Sequence, residues 1–238
     1  MKNIFDSSFF LKNNLFLITS CINTSMGIYS PKQRFEQTIE TIKSIRKYAP
    51  NSKIFIADNS YEQELHPELY SYFTKTCNLV ANLSNDDNCK KLNAAQLKSA
   101  SDCYLTLKML EILLSNIHGM QLLNSCKRLY KISGRYQLND KFDEKNYDHY
   151  GKIVLKRYDT WRDDKTIDGL YITRLISICP SLIKYSISSL SNSIQTILAE
   201  NIDIEHAVYK NFDKEYVHTI NELGVVGNVA PNGSLHID

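Results

Sequence analysis

The chain has 238 residues, and 28 lysines and arginines against 26 aspartates and glutamates leave a formal net charge of +2, too small to recruit nucleic acid by bulk charge. Hydrophobic residues make up 43% and charged residues 23%, the balance of a globular protein with one large domain. Only 8 glycines and 5 prolines exclude a collagen-like or Pro/Gly-rich disordered chain.

The first apolar stretch, Phe9 to Ile18, follows Asp6 and is interrupted by Lys12, Asn13 and Asn14, so it is not read as a signal peptide. No run reaches the ~18–20 apolar residues that cross a bilayer; peripheral association with a membrane stays compatible with the sequence. Leu15 to Ser20 reads as a buried strand ending in the polar loop Cys21 to Ser30. Pro31 opens an amphipathic helix carried by Phe35, Ile39, Ile42 and Ile45 and stopped by Pro50. Lys53 to Ala57 is a second strand, closed by Asp58, Asn59 and Ser60. A short helix over Tyr61 to Lys75, a weak strand over Asn78 to Leu83 and a loop over Ser84 to Lys91 follow. A long helix is expected from Ala94 to Ile117, then a strand from Arg128 to Ser133. Alternating strands and helices predict a mainly parallel sheet flanked by helices, with ligands bound beyond the carboxyl ends of its strands.

The second half has a different texture. Lys152 to Lys156 and Leu170 to Ile178 read as strands, Ser181 to Ala199 and Ile204 to Phe212 as helices, and Gly224 to Asp238 as a loop-rich ending. The six cysteines show no Cys-x-x-Cys spacing, which fits a reducing, cytoplasmic setting.

Three places carry candidate chemistry. Asp58, at a strand end, can accept hydrogen bonds from a ribose or a base edge, or simply close an Asx-type turn. The segment Lys131, Ser133, Gly134, Arg135 and Tyr136 places a cation and an aromatic after a strand. There Arg135 can clamp a phosphate through paired hydrogen bonds, or the segment is a tight turn with a solvated Arg and a packed Tyr. Glu205 stands in the first turn of a short helix behind Asp203; it is a general-base candidate, or an acid that offsets the helix dipole with Asp203 as N-cap. No Gly-x-Gly-x-x-Gly, P-loop, Asp-x-Asp or Gly-x-Ser-x-Gly occurs. The adjacent pairs Asp86 and Asp87, and Asp163 and Asp164, read as loop decoration.

In order, LITSCINTS, KIFIADNS, RLYKISGRY, IEHAVYK and GVVGNVAPNG resemble bacterial and viral glycosyltransferases of the GT-A, nucleotide-diphospho-sugar transferase type. The resemblance implies a single Rossmann-like domain with a nucleotide-binding half over about 14–136 and an acceptor-side half over about 137–238. Its substrates would be a nucleotide-sugar donor and a saccharide acceptor, in polysaccharide or glycan synthesis. It implies that Thr19, Ser20 and Asn23 contact the nucleotide, that Asp58 takes the base or ribose, and that Glu205 deprotonates the acceptor hydroxyl. The family's Asp-x-Asp, which holds Mn²⁺ or Mg²⁺ against the sugar diphosphate, falls at Ser133 to Tyr136 and is missing. Either Arg135 and Lys131 supply that positive charge, or other groups such as Asp140 and His236 hold a metal, or the site is inactive. The alternatives are a non-catalytic glycan-binding or assembly protein and a sugar nucleotidyltransferase. The latter is expected to carry a Gly-rich basic loop, which CINTSMGIYS is not.

Overall fold

A computed structural model describes residues 13–60, 66–163, 166–228 and 233–238. The beginnings of the Phe9 to Ile18 stretch and of the Tyr61 to Lys75 helix lie outside the described residues, as do Asp164 and Pro231. The strands are β1 (Asn13–Ser20), β2 (Lys53–Asp58), β3 (Leu79–Asn82), β4 (Cys126–Ser133), β5 (Tyr136–Leu138), β6 (Ile153–Asp159), β7 (Gly169–Ile178), β8 (Val217–Thr219), β9 (Val225–Asn228) and β10 (Leu235–Ile237). The helices are α1 (Pro31–Tyr48), α2 (Pro67–Thr76), α3 (Asp87–Ala94), α4 (Lys98–Ser115), α5 (Ile117–Asn124), α6 (Ile183–Glu200) and α7 (Ile204–Asn211).

The main sheet runs β3-β2-β1-β4-β7-β6-β8 and a small one β10-β9-β5. The first four strands of the main sheet pair in parallel, as the strand-helix alternation predicts. β7 then runs antiparallel to both β4 and β6, so the second half departs from the parallel pattern. Both faces are covered, which is why β1 reads as unbroken hydrophobicity rather than alternation. Leu15 and Leu17, with Phe55 of β2 and Leu129 of β4, face a core shared with α4, α6 and α7. Phe16 and Ile18, with Ile54, Tyr130 and Ile132, face Ile42 and Ile45 of α1 and Phe73 of α2. Across that second face the Phe16 and Tyr130 rings stack at 4.8 Å.

Three expectations are corrected. The polar run 84–91 is not a plain loop: Asp86 accepts from the Asn88 and Cys89 amides and starts α3. The long helix over 94–117 is interrupted, because Gln96 takes a left-handed conformation (φ 55°) between the end of α3 and the start of α4. Asn116 then caps a further helix, α5, by accepting from His118 and Gly119. The ending from Gly224 is also more ordered than its composition suggests. There β9 pairs antiparallel with β5 and β10, and the Asp238 carboxylate takes Lys156 at 2.6 Å together with Arg174.

Candidate active site

β1 and β4 are parallel neighbours with Thr19 opposite Ser133, so their carboxyl ends deliver Thr19, Ser20, Ser133, Gly134 and Arg135 to one place. There they line a cavity of about 520 Å³. The Gly134 amide donates to the Thr19 carbonyl at 2.8 Å, and the Thr38 hydroxyl donates to the Gly134 carbonyl at 3.2 Å. Gly134 is demanded by space rather than by unusual dihedrals, since a Cβ there would lie 2.9 Å from Thr38 Oγ1 and 3.3 Å from the Thr19 carbonyl. Gly227 of β9 has the same role behind the site: its Cβ would sit 2.4 Å from the Arg135 carbonyl.

The opposite walls come from α4, β7 and α7. Lys98, Ser99, Ser101 and Asp102, from the first turns of α4, line the cavity, and no side chain caps that helix, so its positive end is turned toward the space. Thr173 and Arg174 enter from β7, and Asp203, Ile204 and Glu205 from the start of α7. The reversal that places α7 depends on Asn201, which ends α6 in the left-handed region at φ 50°. Asp203 is the N-cap of α7, as its position implies, accepting from the His206 amide at 2.9 Å.

The charges divide into spent and free. Lys131 is buried, and its ammonium donates to Asp102 at 2.8 Å, to Ser133 Oγ at 3.1 Å and to the Thr173 carbonyl at 3.3 Å. Burial acts to raise the Asp102 pKa, but the Lys131 charge and hydrogen bond prevail and hold it below the usual carboxylate value. Arg174 pairs with Asp238, lies 3.2 Å from His236 Nδ1 and covers the Tyr136 ring at 5.7 Å. Arg34 donates to the carbonyls of Tyr29, Cys21 and Met26, which folds the loop after β1 around its guanidinium. Arg135 and Lys98 are different: among the described residues neither side chain is held by a hydrogen bond or an ion pair. Partial desolvation, and then the neighbouring Arg135 charge, lower the Lys98 pKa to about 8. The Asp102 and Glu205 charges partly offset that shift, and two neighbouring cations held by no direct ion pair suit an anionic ligand.

Glu205 Oε1 accepts from the Thr173 hydroxyl at 2.8 Å. Burial raises its pKa, the Thr173 bond opposes the rise, and the Asp203 charge adds to it. A carboxylate with increased proton affinity inside a cavity is suited to accept a proton from a hydroxyl.

Of the residues singled out from sequence, Thr19, Ser20, Ser133, Gly134, Arg135, Tyr136, Glu205 and His236 line the cavity. Asp58, Asn23 and Lys131 do not. Asp58 is buried, and its oxygens accept from Ser20 Oγ (2.8 Å), the Ile22 amide (3.1 Å), the Ser60 amide (2.9 Å) and the Ser60 hydroxyl. It therefore organises the loop after β1, and the nucleoside role expected of it has no support in the cavity lining. The Asn23 amide donates to Ser60 Oγ at 3.0 Å in the same network. Lys131 is committed to Asp102 rather than to a phosphate. Lys98, Thr173, Arg174 and Trp161 also line the cavity and carry no local mark in the sequence, because only tertiary packing brings them here.

The residues do not fit a divalent ion. Among the described residues no three His, Cys, Asp or Glu side chains cluster. Asp140 is exposed and outside the cavity lining, and His236 lies against the Arg174 cation.

No protein-family model matches the chain, and no curated protein sequence does. Among solved structures it is similar to the galactosyltransferase LgtC in complex with donor and acceptor sugar analogs, with a TM-score of 0.52 and 9% identity, over 86% of this chain and 72% of that one. An active-site mutant of LgtC gives a TM-score of 0.53 at 10% identity over the same shares. The mixed α/β architecture, with its mostly parallel central sheet, is the GT-A glycosyltransferase fold.

Proposed function

We propose that the protein is a glycosyltransferase that moves a sugar from a nucleotide-diphosphate donor to a saccharide hydroxyl, in polysaccharide or glycan synthesis, with side-chain cations at the donor diphosphate in place of a metal. The observation that carries this reading is one cavity holding both the unpaired cations Lys98 and Arg135 and a half-buried carboxylate, Glu205, of raised proton affinity. Lys98, Arg135 and the start of α4 bind the diphosphate. Glu205 takes the proton of the acceptor hydroxyl as its oxygen bonds to the anomeric carbon. The bond from that carbon to the diphosphate oxygen breaks, and the electron pair leaves on the diphosphate, whose growing charge the two cations stabilise. Thr19, Ser20 and Tyr136 contact the donor, and the half over 137–238 serves the acceptor. Six free cysteines suit a reducing compartment such as the cytoplasm, and among the described residues no helix is long and apolar enough to cross a membrane.

The test is thermal unfolding with UDP, GDP, CDP and their common sugar conjugates, in EDTA and then with Mn²⁺ or Mg²⁺. A nucleotide at a hundred times its dissociation constant adds about 2.7 kcal/mol, a rise of roughly 5–11 °C for a chain of this size. The rise is expected in EDTA and to persist unchanged with metal. Glu205→Gln should keep it and lose transfer. The rival reading, a non-catalytic glycan-binding protein, is favoured by the missing Asp-x-Asp. It gains if oligosaccharides bind and every nucleotide fails.

A further inference from the structure

Trp161 is the chain's single tryptophan and is 56% exposed at the cavity wall. It is not a loosely held surface side chain. Its indole Nε1–H donates to Asp203 Oδ2 at 3.1 Å, and it meets the His206 ring edge-on, with centroids 5.2 Å apart and planes at 89°. His206 is itself fully buried, with Nδ1 2.7 Å from Asp203 Oδ1 and Nε2 2.8 Å from the hydroxyl of Thr160, the residue before the tryptophan. Asp203 thus joins the indole, the imidazole and the cap of α7 in one network, and Glu205 follows two positions later. The polar atom and one edge of the indole are satisfied while much of its apolar surface faces solvent, an arrangement that spends packing to hold an aromatic face open.

From this we infer that Trp161 is a stacking platform for the C–H face of a pyranose ring, and that it seats the acceptor saccharide beside Glu205. The identification of the saccharide as an acceptor rests on the transferase reading; the platform itself does not. Two features select a sugar over a nucleobase. Trp161 lies in the β6–β7 connection, on the wall built by the second half of the chain, whereas Thr19 and Ser20 belong to the β1 end of the cavity. The polar group that the indole meets is the Asp203 carboxylate, with Glu205 two positions on in α7 and in the same cavity lining, acceptors that suit sugar hydroxyl donors. Because the ring is fixed before binding, little ordering cost is incurred when the sugar arrives.

A chain with one tryptophan permits a direct test, since its intrinsic emission reports Trp161 alone. Emission is titrated with methyl β-glucoside, methyl β-galactoside, lactose, maltose, cellobiose and chitobiose up to 100 mM, without nucleotide and again with saturating UDP or GDP. Calorimetry follows nucleotide binding separately. A saturable emission change with at least one saccharide is expected. Trp161→Phe should retain part of the affinity and Trp161→Ala should bind that saccharide about tenfold more weakly or worse, both read by calorimetry, with nucleotide affinity and the far-UV circular dichroism spectrum unchanged. No emission change with any of these pyranosides overturns the platform, because the C–H face is common to all of them. So does saccharide affinity that Trp161→Ala leaves intact, or emission that follows nucleotide alone. Saccharide binding without any nucleotide binding would retain the platform and remove the transferase reading. Nucleotide binding without a saccharide response would do the reverse.

Discussion

Asp58→Asn separates a carboxylate that organises a loop from one that reads a ligand. Each Asp58 oxygen accepts one backbone N–H, Oδ2 that of Ile22 and Oδ1 that of Ser60, besides one serine hydroxyl each. The Ser20 and Ser60 hydroxyls can rotate to accept from a new NH₂ group, but a backbone amide cannot. Whichever way the asparagine amide is turned, one buried backbone N–H then faces another donor. The loss of one charge-assisted bond and the stranding of one amide cost roughly 2–4 kcal/mol, or a Tm lower by about 4–16 °C for a chain of this length. Thermal unfolding by circular dichroism and urea titration, without ligand, measure it. Nucleotide binding should fall only in step with this loosening, and excess nucleotide should restore part of the Tm. A variant that unfolds at the parental temperature yet no longer binds nucleotide would falsify the reasoning and return Asp58 to the ligand.

Two further predictions concern pH. Lys98 is cationic below its pKa of about 8 and loses its charge above it, so diphosphate affinity measured by calorimetry in EDTA should fall between pH 7 and 9.5. Lys98→Arg should remove that fall, and Lys98→Met should bind weakly at every pH; a parental profile flat to pH 9.5 would exclude Lys98 from the anion site. His218 stacks on His149 with ring centroids 3.7 Å apart, and burial, then the charges of His149 and Lys152, lower its pKa below 6.5. Since the unfolded chain takes up that proton first, the His218 contribution to stability is complete above pH 6.5 and is lost as pH falls from there through the depressed folded value. The urea midpoint should drop across that window, and His218→Gln should flatten the drop.

The parts of the fold legible in the sequence are those where periodicity and capping agree. In α1, Pro31 stands at the first turn, Ser30 and Gln33 form a capping box, and the isoleucines recur on one face. β1, β2 and β4 are buried on both faces, so unbroken apolar runs announce them. What stayed hidden depends on single residues against the local pattern. Gln96 in a left-handed turn divides a continuous helical periodicity, and β9 and β10, four and three residues long, are too short to announce pairing. Within the site, Gly134, Arg135 and Glu205 were visible because strand ends and helix starts aim side chains at a common edge. Lys98 and Trp161 carry no comparable local mark. Lys98 becomes a wall of the cavity only when α4 docks, and Trp161 only when Asp203 and His206 fix it.

The reassignment of Lys131 explains why the cavity can be cationic in a chain whose net charge is near neutral. Side chains alternate along β4, so Leu129, Lys131 and Ser133 share the face that packs under α4, where Leu129 joins the core with α4 and Lys131 meets Asp102. Burying that ammonium is costly unless it is paired and hydrogen-bonded, and three acceptors surround it. The consequence falls on the neighbours. An unpaired Asp102 at the start of α4 would be open to pair with Lys98 and Arg135, whose charges it already feels. With Lys131 holding its carboxylate from beneath, and Asp238 holding Arg174 at another wall, the cations left without partners are the two at the ends of β4 and the start of α4. The residue read from sequence as a phosphate ligand therefore acts one layer down in the proposed site: it neutralises an acid that would otherwise compete for the two cations.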